Sequence, residues 1–427
     1  MIRRQAKDKL VFSAGHEEIM AEMQRGREHV LLVVIVFLHF GGDSHGDESY
    51  VEYPLQLLGT LPLPASSLGR LDHLSFDPST ELLYLCGFED SAVFVFDVGS
   101  GRLVNAITQE LANPQGALLL PYTERQRLSN HLVGEQNHRQ NVIDFAPYAQ
   151  LYVTNDETGE VNVFDQNGKD GMGKFILDTN IELLEDADNV RYNAGTGLVY
   201  VGYGDGAEGM VSPAIAAIDP STNEQVERIS LPAHPESFQL SPSGDTLFCN
   251  TPNTSSITVV SGLLGRSIRQ HSPSSSSYNY NTWRVPGTAP GNDNKCFPMA
   301  HAQDLHVNGT LFVGCREPPV LAMLDAESGR LLASCPIGQH TDDVWWDAAR
   351  RRIYVSAREG FVSVVEVTSF PAASSYAEYK LEVIANVTTA YGSQTSYFDV
   401  ASRRLFVPVP RLESSDPAAY VLIYRAL

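Results

Sequence analysis

Leu151-Tyr152-Val153-Thr154-Asn155-Asp156-Glu157-Thr158-Gly159-Glu160-Val161-Asn162-Val163-Phe164-Asp165 is the stretch that decides the fold. It opens with a β-type run centred on an aromatic. A polar turn carrying Gly159 follows, then a second β-type run that ends in an acid. Branched and aromatic residues on both sides of a glycine turn are the chemistry of a hairpin. The pattern recurs seven times, with the first run centred on Tyr84, Tyr152, Tyr200, Phe248, Phe312, Tyr354 and Phe406. Successive aromatics lie 68, 48, 48, 64, 42 and 52 residues apart. The short spacings suit one four-stranded propeller blade of ~40–50 residues, and the two long ones require insertions.

Each unit extends on both sides of its hairpin. A third apolar run follows a turn such as Gly99-Ser100-Gly101 or Glu327-Ser328-Gly329. A further short strand and an Asp-Pro or Asp-Ala turn come before the aromatic run, as in Leu74-Ser75-Phe76-Asp77-Pro78 and Val344-Trp345-Trp346-Asp347-Ala348. No helical periodicity separates the runs. Four antiparallel strands repeated radially predict an all-β, seven-bladed β-propeller over residues 50–427. The last unit stops after its third strand. Residues 55–63 precede the first unit and are expected to supply the missing outer strand, which would close the ring and hide its edges. Residues 121–141 interrupt the second blade, and residues 272–281 lengthen the link from the fourth to the fifth. Both are polar and aperiodic, so exposed loops are expected there.

Longer stretches carry a resemblance. Leu151-Tyr152-Val153-Thr154-Asn155-Asp156 resembles the motif of the YVTN β-propeller repeat family. Arg70-Leu71-Asp72-His73, Asn113-Pro114-Gln115-Gly116, Asp188-Asn189-Val190-Arg191-Tyr192, His234-Pro235-Glu236-Ser237-Phe238, Phe297-Pro298-Met299-Ala300 and Gly314-Cys315-Arg316 look like its exported, YncE-like members. The resemblance spans about residues 53–427. It implies the propeller fold and export but assigns no chemistry, because one fold hosts many activities. The Trp-Asp dipeptide of WD40 repeats does not recur.

Residues 1–49 read as a leader. The apolar run 30–38, Val-Leu-Leu-Val-Val-Ile-Val-Phe-Leu, would span only ~14 Å as a helix, too short for a bilayer core. Preceded by Arg25 and Arg27, it suits a secretory signal with Met23 as an alternative start, so a secreted, periplasmic or extracellular protein is expected. A buried strand is the other reading. The formal charge of −21 counts against nucleic acid and anionic lipid as partners. The five cysteines, Cys86, Cys249, Cys296, Cys315 and Cys335, form no CxxC or CxxCH, which removes zinc ribbons and covalent haem. Cys86, Cys249 and Cys315 sit near one strand position and read as small buried hydrophobes. One or two disulfides fit an oxidising compartment, with the pairing open. Asn253, Asn308 and Asn386 head glycosylation sequons.

In a propeller the residues just before each inner strand gather at one mouth of the central channel. Those positions hold Asp72 and His73, Gln115, Asp186, Asp188 and Asn189, His234 and Glu236, Pro298 and Met299, Asp342 and Asp343, then Gln394 and Ser396. Arg191 lies beside them, and Arg70 could clamp an anion or neutralise the acids. The simplest reading is that Asp, Asn and His cap loop amides and tie the blades together. A recognition site is the functional reading, for a protein, a glycan or a small ligand on a monomeric scaffold. His73, His234, Asp188 and Asp343 could also bind a divalent cation, or, together with Glu236, supply the acid and base of a lactonase-like hydrolase. A third reading is a partner of quinone or haem subunits, with the cofactor held by the partner.

Overall fold

The computed structural model describes residues 53–122, 148–167, 175–204, 212–266, 278–285, 303–304, 309–370 and 378–427. The chain divides into units Met1–Val51 and Glu52–Leu427, and the described residues belong to the second. The apolar run 30–38, Met23 and most of the insertion 121–141 lie outside the described residues.

Seven four-stranded antiparallel sheets make seven blades. Six are meanders in chain order: Leu71–Asp77 to Arg102–Ile107, Pro114–Pro121 to Phe175–Glu182, Val190–Asn193 to Glu224–Ser230, Phe238–Leu240 to Asn279–Arg284, Gln303–Asp304 to Leu331–Pro336, and Thr341–Asp347 to Glu378–Thr388. The seventh takes Tyr397–Asp399, Arg404–Val409 and Tyr420–Ala426 from the end of the chain. Its outer strand is Leu55–Pro62, which runs antiparallel to Tyr420–Ala426.

The strands divide their burial as the sequence dictates. The aromatic-centred second strands Leu82–Gly87, Ala149–Asn155 and Leu198–Tyr203 are buried along their whole length. Each lies between neighbouring blades, so both faces are covered and the run reads as continuously apolar. Outer strands such as Glu378–Thr388 alternate instead, with one edge in solvent. The core consists of seven apolar layers between adjacent blades. One layer joins Leu83 and Phe96 of the first blade to Phe406, Val421 and Ile423 of the seventh. Tyr84, Tyr152, Tyr200, Tyr354, Phe312 and Phe406 are among the largest fully buried side chains. Each such ring contributes about 2–3 kcal/mol of transfer free energy.

Acids at the strand ends cap the turns. Asp77, Asp97, Asp219 and Asp325 accept backbone N–H bonds from Ser79, Ser100, Ser221 and Ser328. Asp165 differs: its Oδ1 accepts from Gln150 Nε2 at 2.9 Å.

Two expectations need correction. Asn279–Arg284 is the outer strand of the fourth blade, not loop. Its inward face is Trp283, 5.6 Å from the Phe248 ring, with Val285 buried just beyond it, while the rest of the strand faces solvent. Cys315 is disulfide-bonded, whereas Cys86, Cys249 and Cys335 are free and buried.

Candidate functional site

Three inner strands slip register just after they begin. Leu71 opposes Gly87 but Leu74 opposes Leu85, and the same shift follows Pro114 and Thr341. One extra residue on the inner strand is a β-bulge, and it re-aims the side chains it carries. The bulges carry Asp72-His73, Gln115-Gly116 and Asp342-Asp343. Asp188-Asn189 and Glu236-Ser237 take the equivalent place in the third and fourth blades. There Gly202 N donates to Asn189 O, and Asn250 N to Ser237 O, both at 3.0 Å. Pro298 and Met299, expected at this position in the fifth blade, lie outside the described residues.

The approach to these strands needs left-handed backbone. Asn113 and His340 have φ of 53° and 51° directly before two inner strands, and Asp186 and Gly392 have 45° and 96° in the approach to two others, Val190–Asn193 and Tyr397–Asp399. Asn, Asp, His and Gly are the types that tolerate this region. Leu184 and Glu185 continue it at 69° and 82°, a strained run that places Asp186 at the mouth. Gly159 makes room for that run, because a Cβ there would lie 1.9 Å from Glu185 N.

The result is a cavity of about 170 Å³ lined by Arg70, Asp72, His73, Gln115, Asp186, Asp188, Asn189, His234, Glu236, Arg316 and Asp342. Every one of these side chains is polar. A second cavity of about 320 Å³ is lined by Arg191, Ser237, Asp343, Trp345, Ser396 and Tyr397 among others. His73 borders both. Of the expected mouth residues, Asp72, His73, Gln115, Asp186, Asp188, Asn189, His234, Glu236 and Asp342 therefore share the first cavity, while Arg191, Asp343 and Ser396 line the second. Trp346 and Trp283 pack against Phe312 and Phe248, as expected of inter-blade packing. Trp345 instead donates its Nε1–H to Ser396 O at 3.0 Å on the wall of the second cavity.

Charge orders the first cavity. His73 Nδ1 is 3.4 Å from Asp343 Oδ2, and its Nε2 is 3.8 Å from Asp72 Oδ1 and 4.0 Å from Asp188 Oδ1. Burial alone would lower the His73 pKa, but the carboxylates of Asp343, Asp72 and Asp188 outweigh it and push it up to about 10. His73 is therefore an imidazolium at neutral pH. Arg70 Nη2 pairs with Asp72 Oδ2 at 3.3 Å, and Arg316 Nη2 with Asp342 Oδ1 at 2.5 Å. Gln394 Nε2 adds a hydrogen bond of 2.6 Å to Asp342 Oδ2. Burial opposes ionisation of Asp342, yet Arg316, His73 and Arg70 prevail and hold its carboxyl below the ordinary range.

Asp188 has no guanidinium partner among the described residues, and the cation facing it is the His73 imidazolium at 4.0 Å. Asp188 is 7% exposed; Oδ2 accepts from Asn189 Nδ2 at 3.1 Å, while Oδ1 is buried with no hydrogen-bond partner. Burial raises its pKa to about 7, Glu236 and Asp72 add to the rise, and His73 opposes it. Burial likewise raises Glu236 against the pull of His234 and Arg316. His234 Nδ1 lies 3.1 Å from Gly204 O and 3.4 Å from Asp186 Oδ2. Burial would lower its pKa, but Glu236 and Asp186 raise it. Arg191, lowered by burial, braces the ring by donating to Asn189 Oδ1 at 3.0 Å and Val190 O at 2.9 Å.

Arg316 is the cavity residue that sequence reasoning assigned no role. Its signal was present, since Arg316 and Arg358 each follow the central aromatic of their unit by four residues. Among the described residues no three His, Cys, Asp or Glu side chains are arranged to hold a metal ion. Two carboxylates of the cavity are held by guanidinium groups instead. Of the sequon asparagines, Asn253 and Asn386 are exposed, and Asn308 lies outside the described residues. Among the described residues no helix is long and apolar enough to cross a membrane.

No family model matches the chain, and no curated protein matches it. Solved structures share the fold. A chain from "Crystal Structure of Mitotic Checkpoint Complex" aligns with a TM-score of 0.56 at 12% identity, covering 92% of this chain and 98% of its own. A chain of the hydrazine synthase of Kuenenia stuttgartiensis aligns at 0.57 and 14%, covering 90% and 99%. The WD40 repeats of RRP9 align at 0.55 and 9%, covering 87% and 98%. At these identities the likeness establishes the seven-bladed β-propeller and nothing beyond it.

Proposed function

We propose that this chain is an exported, monomeric recognition and scaffold propeller of the YVTN, YncE-like type, and that it binds its ligand or partner at the Asp72 end of the central channel. The observation that carries the reading is the wholly polar cavity with a buried, unpartnered oxygen of Asp188 on its wall. Buried polar atoms without partners are uncommon in folded proteins and point to a group supplied from outside. One structural neighbour comes from a complex, which supports a scaffold role. His73 stays protonated up to about pH 10 and does not serve as a general base near neutrality, so an acid–base reading would rest on Asp188, whose pKa burial raises to about 7.

The test is a thermal-shift panel of amines, carboxylates, sugars and phosphate esters on the full chain and on Gln115→Leu/Glu236→Leu. Apolar side chains at those positions would fill the cavity. At least one class should stabilise the parent protein and lose that effect in the variant. If no class does so, the mouth is a structural cluster and the reading fails.

A further inference from the structure

The mouth cavity shares its charges unevenly. On one side Arg70 and Arg316 take Asp72 and Asp342. On the other side Asp188 and Glu236, from adjacent blades, have no ion pair to arginine or lysine among the described residues. The lining carries five carboxyl groups, Asp72, Asp186, Asp188, Glu236 and Asp342, against two guanidinium groups and two imidazoles, Arg70, Arg316, His73 and His234. An acidic cluster alone would not define a site, but Asp188 is 93% buried and its Oδ1 has no hydrogen-bond partner. Leaving such an oxygen desolvated without a partner is unfavourable.

We propose that the Asp188–Glu236 wall binds the ammonium group of a small primary amine, with Asp188 Oδ1 and the Glu236 carboxylate accepting its N–H bonds. This deepens the recognition reading above and rests on it. An ammonium brings one charge and three donors, which is what the wall lacks. A divalent metal would require a converging set of three or more ligands, and none is found among the described residues. The cavity, about 170 Å³, has room for a group of a few heavy atoms. Arg70 and Arg316 also line a neighbouring cavity of about 480 Å³ with Arg358, His340, Glu89 and Asp156, so both signs of charge stand beside the site.

The experiment is calorimetric titration of the full chain at neutral pH and low salt with n-propylamine, n-propanol, sodium propionate, magnesium chloride and potassium chloride. Saturable heat is expected for n-propylamine only. Asp188→Asn and Glu236→Gln should each weaken it by about tenfold or more. Asp325→Asn, on an outer turn, should leave it unchanged. Neutralising Asp188 removes a like-charge repulsion, so that variant should fold, and its melting temperature checks this. Absence of saturable propylamine binding, its persistence in Asp188→Asn/Glu236→Gln, or equal competition by magnesium or potassium overturns the proposal. If propionate binds instead and Arg316→Gln abolishes it, the ammonium assignment falls while the recognition mouth stands. If neither these probes nor the broader panel bind, both fall.

Discussion

At the residue scale the mouth ties charge to pH. His73 is held as an imidazolium by carboxylates on three different blades, and Asp188 keeps its proton unusually long. Both groups hold protons more tightly folded than unfolded. An unfolded Asp releases its proton near pH ~4 and an unfolded His near ~6.5. Asp188 therefore adds stability at low pH that is lost as pH rises through about 7. His73 adds stability that is full below ~6.5 and lost as pH rises through about 10. Asp342 works the opposite way, because its lowered pKa gives stability that disappears in acid. Urea unfolding across the pH range should show stability falling from weakly acidic to alkaline conditions. Asp188→Asn should flatten the lower part of that slope and His73→Gln the upper part. Slopes unchanged in both variants would contradict this account. The acids and imidazoles were legible in the sequence because they recur at one place in the repeat. That they fall on two sides of His73 was not legible, since the bulge that turns Asp342 and Asp343 toward different cavities has no signature of its own.

At the element scale the recurring aromatic does two jobs. Its ring fills the layer between blades, and in two blades its hydroxyl reaches the next blade. Tyr84 OH donates to Gln166 Oε1 at 2.8 Å, and Tyr152 OH to Asn223 Oδ1 at 2.7 Å. Asn223 Nδ2 in turn donates to Asp178 Oδ2 at 2.8 Å, so the bond links the second blade to the start of the third blade's outer strand. Tyr152→Phe should cost about 1 kcal/mol by orphaning that bond, and Tyr152→Ala about 3–5 kcal/mol by adding a cavity. Denaturant melts of the two variants separate the terms, and equal losses would mean that the hydroxyl carries the effect. These aromatics also explain why the fold could be read so fully. Seven near-identical hairpins state the blade count directly, and turn acids such as Asp97 and Asp325 mark where each pair of strands ends. The stretch around Tyr280 misled because Ser-rich flanks resemble a loop. The signal for a strand was Trp283 and Val285, two apolar residues two positions apart that are both buried.

At the scale of the whole molecule, a ring of blades has one place where chain connectivity does not join neighbours. Between the seventh and first blades, Leu55–Pro62 pairs with Tyr420–Ala426, and a layer containing Leu61, Leu74, Phe76, Phe406 and Ile423 fills the seam. Arg404 adds a clamp, with Nη1 and Nη2 at 2.6 and 2.7 Å from the two oxygens of Glu81. Its guanidinium also lies 4.9 Å from the Phe76 ring centroid. A bidentate pair backed by an aromatic face is stronger than a lone surface ion pair. Removing the strand would expose the edge of Tyr420–Ala426 and open the apolar layer to water. A variant beginning at Leu63 should therefore melt at lower temperature than one beginning at Tyr53 and associate through the bared edge. Calorimetry with size-exclusion chromatography checks both. Adding a peptide with the sequence of residues 53–63 should restore the shorter variant by refilling the seam. Equal melting temperatures for the two variants would mean that the layer and the Arg404–Glu81 clamp hold the seam without the strand. In that case Arg404→Ala in the shorter variant should be the change that finally opens it.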